Sequence, residues 1–125
     1  MPQNWMLWLG VFLIALWYMS PKMPTAARLN PTQVKEAMAM TPGLQVIDVR
    51  TSAEYKDGHI AGAKLIPLQE LGSRLSEIDK SRPAILVCRS GQRSAQAYKL
   101  LAAQGFEKLQ HLEGGMNGWV SAGYA

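Results

Sequence analysis

Hydrophobic positions follow two regimes along the chain. From Trp5 to Met19 fifteen consecutive residues are uncharged and almost wholly apolar, whereas after residue 25 apolar residues come as short runs and helical spacings punctuated by Gly and Pro. The first stretch shows no polar face, which predicts a membrane helix rather than a core helix. At ~1.5 Å per residue it spans about 22 Å, short of the ~30 Å hydrocarbon core. Trp5 and Trp8 at one end, with Trp17 and Tyr18 at the other, supply aromatics for both lipid–water interfaces. A secretory signal peptide is the competing reading, but no Lys or Arg precedes the stretch and Thr25-Ala26-Ala27 is a poor cleavage site.

Ser20 to Thr25 contains two prolines and reads as a linker. The expected organisation is therefore an anchor over 1–20, a linker over 21–25 and one domain over 26–125. Lys22, Arg28 and Lys35 follow the apolar stretch and no basic residue precedes it, so the positive-inside rule predicts a single-pass protein with its domain in the cytoplasm.

Within the domain, Asn30-Pro31-Thr32-Gln33 spells a capping box with proline at the first helical position and predicts a helix through Met40. Thr41-Pro42-Gly43 ends it, and Leu44 to Val49 is a core strand carrying Asp48 near its end. Glu54-Tyr55 sit in a short helical turn, and Asp57 to Ala63 is a glycine-punctuated turn leading to a strand at Lys64 to Ile66. Leu68, Leu71, Leu75 and Ile78 have helical spacing, predicting an amphipathic helix over 68–78. Ala84 to Val87 is a buried strand, Ser94 to Ala103 a helix, and Lys108 to Leu112 a last strand. Gly114-Gly115 then turns the chain into a segment where Trp119 packs against the core. Such alternation predicts an α/β fold with a mainly parallel sheet of four or five strands and helices on both faces.

Composition narrows the chemistry. The chain carries 13 Lys and Arg against 9 Asp and Glu. The charges are scattered, which suits small anions and offers no nucleic-acid patch. One cysteine excludes an internal disulfide, a Cys-x-x-Cys pair and a cysteine-based metal site. With His59 and His111 far apart in sequence, neither a metal nor another cofactor is expected.

That cysteine, Cys88, falls where a strand ends and a helix begins, at the carboxyl edge of the sheet where ligands of α/β folds bind. Arg89, Ser90, Gly91, Gln92 and Arg93 form a connection so short that its amides must turn inward as an anion nest. A free thiol titrates near ~8.5, and a helix N-terminus with neighbouring arginines lowers that value, so the pattern predicts a thiolate nucleophile. Asp48, at the same edge of the sheet, is expected to support the loop by bonding its amides or pairing with an arginine.

The run Cys88-Arg89-Ser90-Gly91-Gln92-Arg93-Ser94 resembles the active-site pattern of the rhodanese-like sulfurtransferase domains. Further features of that family occur in order: Val46 to Arg50, Glu54-Tyr55, Gly58 to Ala63, Ile66-Pro67 and Leu112 to Trp119. The resemblance covers roughly Ala26 to Ala125. It implies a three-layer rhodanese-like fold and a sulfurtransferase in which Cys88 accepts a sulfane sulfur as a persulfide. Residues Arg89 to Ser94 would bind a small anionic donor such as thiosulfate, and a thiol or protein acceptor would take the sulfur on. It also places Gly58-His59-Ile60 in a structural turn, leaving His59 without a catalytic role. Arg93 is expected to hold the loop together, through Asp48, and Arg89 to face the pocket mouth. Two alternatives stand beside this reading. One is a membrane-anchored recruitment or sulfur-carrier module. The other is a phosphatase or arsenate reductase, whose relatives of this fold use a Cys-x5-Arg loop, one residue longer than the Cys88-x4-Arg93 found here.

Overall fold

The computed structural model describes residues 27–125, together with Leu9 and Val11. Apart from those two residues, the expected anchor over Trp5 to Met19 lies outside the described residues. Among the described residues no helix is long and apolar enough to cross a membrane.

The elements run β1 (Arg28–Leu29), α1 (Pro31–Met40), β2 (Gln45–Asp48), α2 (Ser52–Asp57), β3 (Lys64–Leu65), α3 (Leu68–Leu71), a 3-10 turn (Leu75–Glu77), β4 (Ala84–Val87), α4 (Gln92–Ala103), β5 (Leu109–Leu112) and α5 (Gly115–Ser121). The five strands form one sheet in the order β1-β5-β4-β2-β3, and every pairing is parallel. Central β4 is buried along its whole length, as a strand covered on both faces must be.

Alternation along the strands divides the core in two. Ile47, Val49, Leu86 and Cys88 point to one face, where Leu71, Ile78, Ala97 and Leu101 cover them. Val46, Ile85, Val87 and Leu112 point to the other, against Val34 of α1 and Met116 and Trp119 of α5. Helices thus lie on both faces. Trp119 is 1% exposed and anchors the second cluster, a burial whose removal costs about 3–5 kcal/mol in comparable cores.

Local chemistry sets the element ends. Asn30 caps α1 through a reciprocal pair, its side chain accepting from Gln33 N at 2.8 Å while Gln33 Oε1 accepts from Asn30 N at 2.9 Å. Thr51 and Glu54 repeat that device at α2.

Two expectations are corrected. The helix predicted over 68–78 is two pieces, the single turn of α3 and the 3-10 turn. Ser73 Oγ and Ser73 N both bond the Glu70 carbonyl, at 2.9 and 3.1 Å, occupying an acceptor that a continuing helix would need. The apolar spacing survives the break, since Leu71 and Ile78 are both buried. The helix after Cys88 begins at Gln92, two residues before the expected Ser94. Gly91, at φ 105°, takes the N-cap position without a capping side chain, so no Ser, Thr, Asp or Asn announces the start.

Candidate active site

β4 delivers Cys88 to the carboxyl edge of the sheet, and the chain closes around its sulfur within six residues. Gly91 N–H donates to Cys88 Sγ at 3.0 Å, and Ser94 Oγ lies 3.4 Å from the same sulfur. Cys88 is 1% exposed. The sulfur therefore sits beside the N-terminus of α4, a helix of 12 residues whose dipole favours negative charge there. Ser90 and Gln92 are exposed, while Ser94 is fully buried.

The loop is clamped from behind by α5. Met116 N–H donates to the Cys88 carbonyl at 2.7 Å and Asn117 N–H to the Arg89 carbonyl at 3.0 Å. This approach demands glycine: Gly115 has φ 56°, and a Cβ there would run into the Cys88 carbonyl oxygen and stand 2.6 Å from the Arg89 carbonyl. The Gly114-Gly115 pair read from sequence as a turn is thus also the back wall of the cysteine loop.

Asp48 pairs with an arginine as expected, but that arginine is Arg50 and not Arg93. Asp48 is fully buried and receives Arg50, with Arg50 Nη2 at 2.7 Å and Nε at 2.9 Å, and Arg50 N–H at 3.1 Å. Arg50 also donates to the Gly58 carbonyl at 2.7 Å. Among the described residues Asp48 bonds neither the loop amides nor Arg93, because Arg50, two residues on, satisfies both of its oxygens.

Arg93 is held instead by Glu54, in a bidentate pair at 2.6 and 2.8 Å. That bonding holds the Glu54 carboxyl down at about 2, with the Thr51 cap acting in the same direction and partial burial opposing. The Arg93 guanidinium is correspondingly raised, chiefly by its bonds to Glu54. From sequence Glu54 is part of a short helical turn and of a family feature, with no bond to the cysteine loop expected; the local signal it carries is the Thr51-x-x-Glu54 capping box.

Arg89 is exposed and borders a cavity of about 660 Å³ that is also lined by Arg50, Glu54, His59, Met116 and Asn117. Cys88 is not itself in the lining, though its chain neighbour Arg89 is. His59 stacks on Tyr55 with ring centroids 3.6 Å apart, and its Nδ1 lies 2.8 Å from the Tyr55 carbonyl. It bonds its own turn and not the cysteine. His111, to which no role was assigned from sequence, is buried beside Ser94. No cluster of three or more metal-ligating side chains occurs among the described residues.

A five-stranded parallel sheet whose central strand leads into a buried cysteine, bonded by one backbone amide at a helix N-terminus, defines a class of α/β domain. The chain belongs to the rhodanese-like domain family, whose model matches residues 30–122. It is 35% identical over 95 residues to a sulfurtransferase of Allochromatium vinosum, covering 76% of this chain and 89% of that one. It is 32% identical over 85 residues to the thiosulfate sulfurtransferase GlpE of Shewanella oneidensis, covering 68% and 84%. Its fold is similar to the crystal structure of a rhodanese-related protein from Thermoplasma volcanium, with a TM-score of 0.72, 28% identity, and coverage of 78% of this chain and 94% of that one.

Proposed function

We propose that the protein is a sulfurtransferase that carries sulfur on Cys88. The Cys88 thiolate attacks the outer sulfur of thiosulfate or a similar anionic donor. An S–S bond forms, the donor's own S–S bond breaks, and sulfite leaves with that electron pair. The resulting persulfide anion then yields its terminal sulfur to a thiolate or cyanide, and the Cys88 thiolate returns. No external oxidant or reductant is required.

The observation that carries this reading is the 3.0 Å bond from Gly91 N–H to Cys88 Sγ at the start of α4. It shows an electropositive backbone aimed at the one atom that must bear negative charge before attack and beside which the persulfide anion forms. Arg89, exposed and lining the cavity, supports the reading by adding a cation that would attract an anionic donor. The test is thiosulfate:cyanide sulfurtransferase turnover by the wild type and its loss in Cys88→Ser. A folded wild type inactive with every sulfane-sulfur donor would favour the recruitment-module reading.

Attachment to the membrane through residues 5–19, with the domain in the cytoplasm, belongs to the same proposal. It is supported by the apolar run, its aromatic ends and the basic residues that follow it. A membrane-impermeant thiol reagent on intact cells should leave Cys88 unlabelled until the membrane is permeabilised. Labelling before permeabilisation would place the domain outside.

A further inference from the structure

His111 is the buried titratable group that sulfur transfer leaves unused. It lies on β5, 4% exposed, in register with Leu86 of β4 on one side and Arg28 of β1 on the other. Its Nδ1 is 3.2 Å from Ser94 Oγ, and that oxygen is 3.4 Å from Cys88 Sγ and 3.1 Å from the Gly91 carbonyl. Its other nitrogen, Nε2, is buried with no hydrogen-bond partner.

Counting hydrogens selects the tautomer. A serine hydroxyl has one hydrogen and two lone pairs. With the imidazole hydrogen on Nδ1, His111 donates to Ser94 Oγ and the hydroxyl keeps its own hydrogen for the Gly91 carbonyl or the sulfur. Nε2 is then a bare lone pair. With the hydrogen on Nε2, Nδ1 would consume the serine hydrogen and a buried N–H would be orphaned, which is the rarer and costlier defect. Burial also disfavours the imidazolium and lowers the His111 pKa; Arg28 acts in the same direction and Glu113 opposes. The remaining groups facing the ring are Tyr98, its ring centroid 6.3 Å away, and Ser94 from α4, with Cys88 beyond Ser94.

We infer that His111 is a positioning residue for Cys88: as a fixed Nδ1–H donor it holds the Ser94 hydroxyl, whose hydrogen swings from the Gly91 carbonyl to Sγ when the sulfur becomes anionic. In the thiol form Sγ–H donates to Ser94 Oγ and the hydroxyl donates to Gly91. Once the thiol proton leaves to water, the sulfur can only accept, and the hydroxyl turns toward it without losing its bond from His111. This inference rests on the proposed sulfur-carrying role of Cys88.

The experiment is the pH dependence of Cys88 alkylation by iodoacetamide in the full chain, with folding checked by circular dichroism. His111→Leu and Ser94→Ala should each move the midpoint upward by about one pH unit, the order expected for one hydrogen bond to a charged group. His111→Asn, which can keep an N–H donor, should stay within a few tenths of a unit of wild type, and His111→Leu should add nothing in a Ser94→Ala background. A folded His111→Leu protein with the wild-type profile, or an undiminished shift without Ser94, overturns the inference. Imidazole nitrogen chemical shifts of the wild type give a check that needs no variant: a hydrogen on Nε2 also overturns it. Sulfur uptake by wild-type protein separately decides the proposed function, since alkylation requires only the thiol.

Discussion

Arg93 and Glu54, thirty-nine residues apart, close a bidentate ion pair at 2.6 and 2.8 Å that ties the first turn of α4 to the first turn of α2. Glu54 simultaneously caps α2 through Thr51. One carboxylate therefore fixes both the end of one helix and the loop that holds Cys88.

The pair makes part of the stability acid-sensitive. Because the folded protein holds the Glu54 carboxyl at about 2, below its ordinary 4.5, its contribution is fully present above about 4.5 and is lost as pH falls toward 2. Glu54→Gln should be less stable than wild type at neutral pH, and the gap should close over that window in urea titrations at stepped pH. A gap independent of pH would show that the charge on Glu54 contributes nothing.

Asp48→Ala should destabilise the domain by about 3–5 kcal/mol, because it leaves Arg50 buried with an uncompensated charge. Replacing both residues by apolar ones of similar volume should cost less than this single change. Chemical denaturation of the single and double variants measures both values.

Gly115→Ala should cost more than about 1 kcal/mol, since alanine must both adopt φ 56° and displace the Cys88 and Arg89 carbonyls. Sulfurtransferase turnover should fall by more than the loss of folded protein explains, because the displaced atoms belong to the cysteine loop. Gly123→Ala is the control for positive φ alone, at 87° with open space around it.

Aryl phosphates should not be hydrolysed. The loop is one residue shorter than Cys-x5-Arg, and Glu54 already occupies the Arg93 guanidinium that would hold phosphoryl oxygens. Phosphate-ester turnover lost in Cys88→Ser would contradict this.

What the sequence disclosed, and what it hid, divides by the range of the interaction. Cys88 at a strand–helix junction was legible because β4 is an unbroken apolar run and α4 carries helical periodicity. The capping box at Asn30 was legible for the same local reason. The start of α4 was displaced by two residues because a positive-φ glycine, not a capping side chain, opens it. Leu68 to Ile78 kept its apolar period while Ser73 broke the helix, so periodicity reported burial and not continuity. The partners of Asp48 and Arg93 were hidden, since each arginine had a choice of carboxylates that only the fold resolves. The link from His111 through Ser94 to Cys88 joins β5, α4 and the end of β4, and no local pattern marks it.

Intact-mass measurement after incubation with thiosulfate tests the central claim most directly. Wild-type protein should gain one sulfur atom, located by peptide mapping to Cys88, removed by cyanide or a thiol, and absent in Cys88→Ser. A folded wild-type protein that remains unmodified across thiosulfate and other sulfane-sulfur donors, or a sulfur gain that persists in Cys88→Ser, would contradict it.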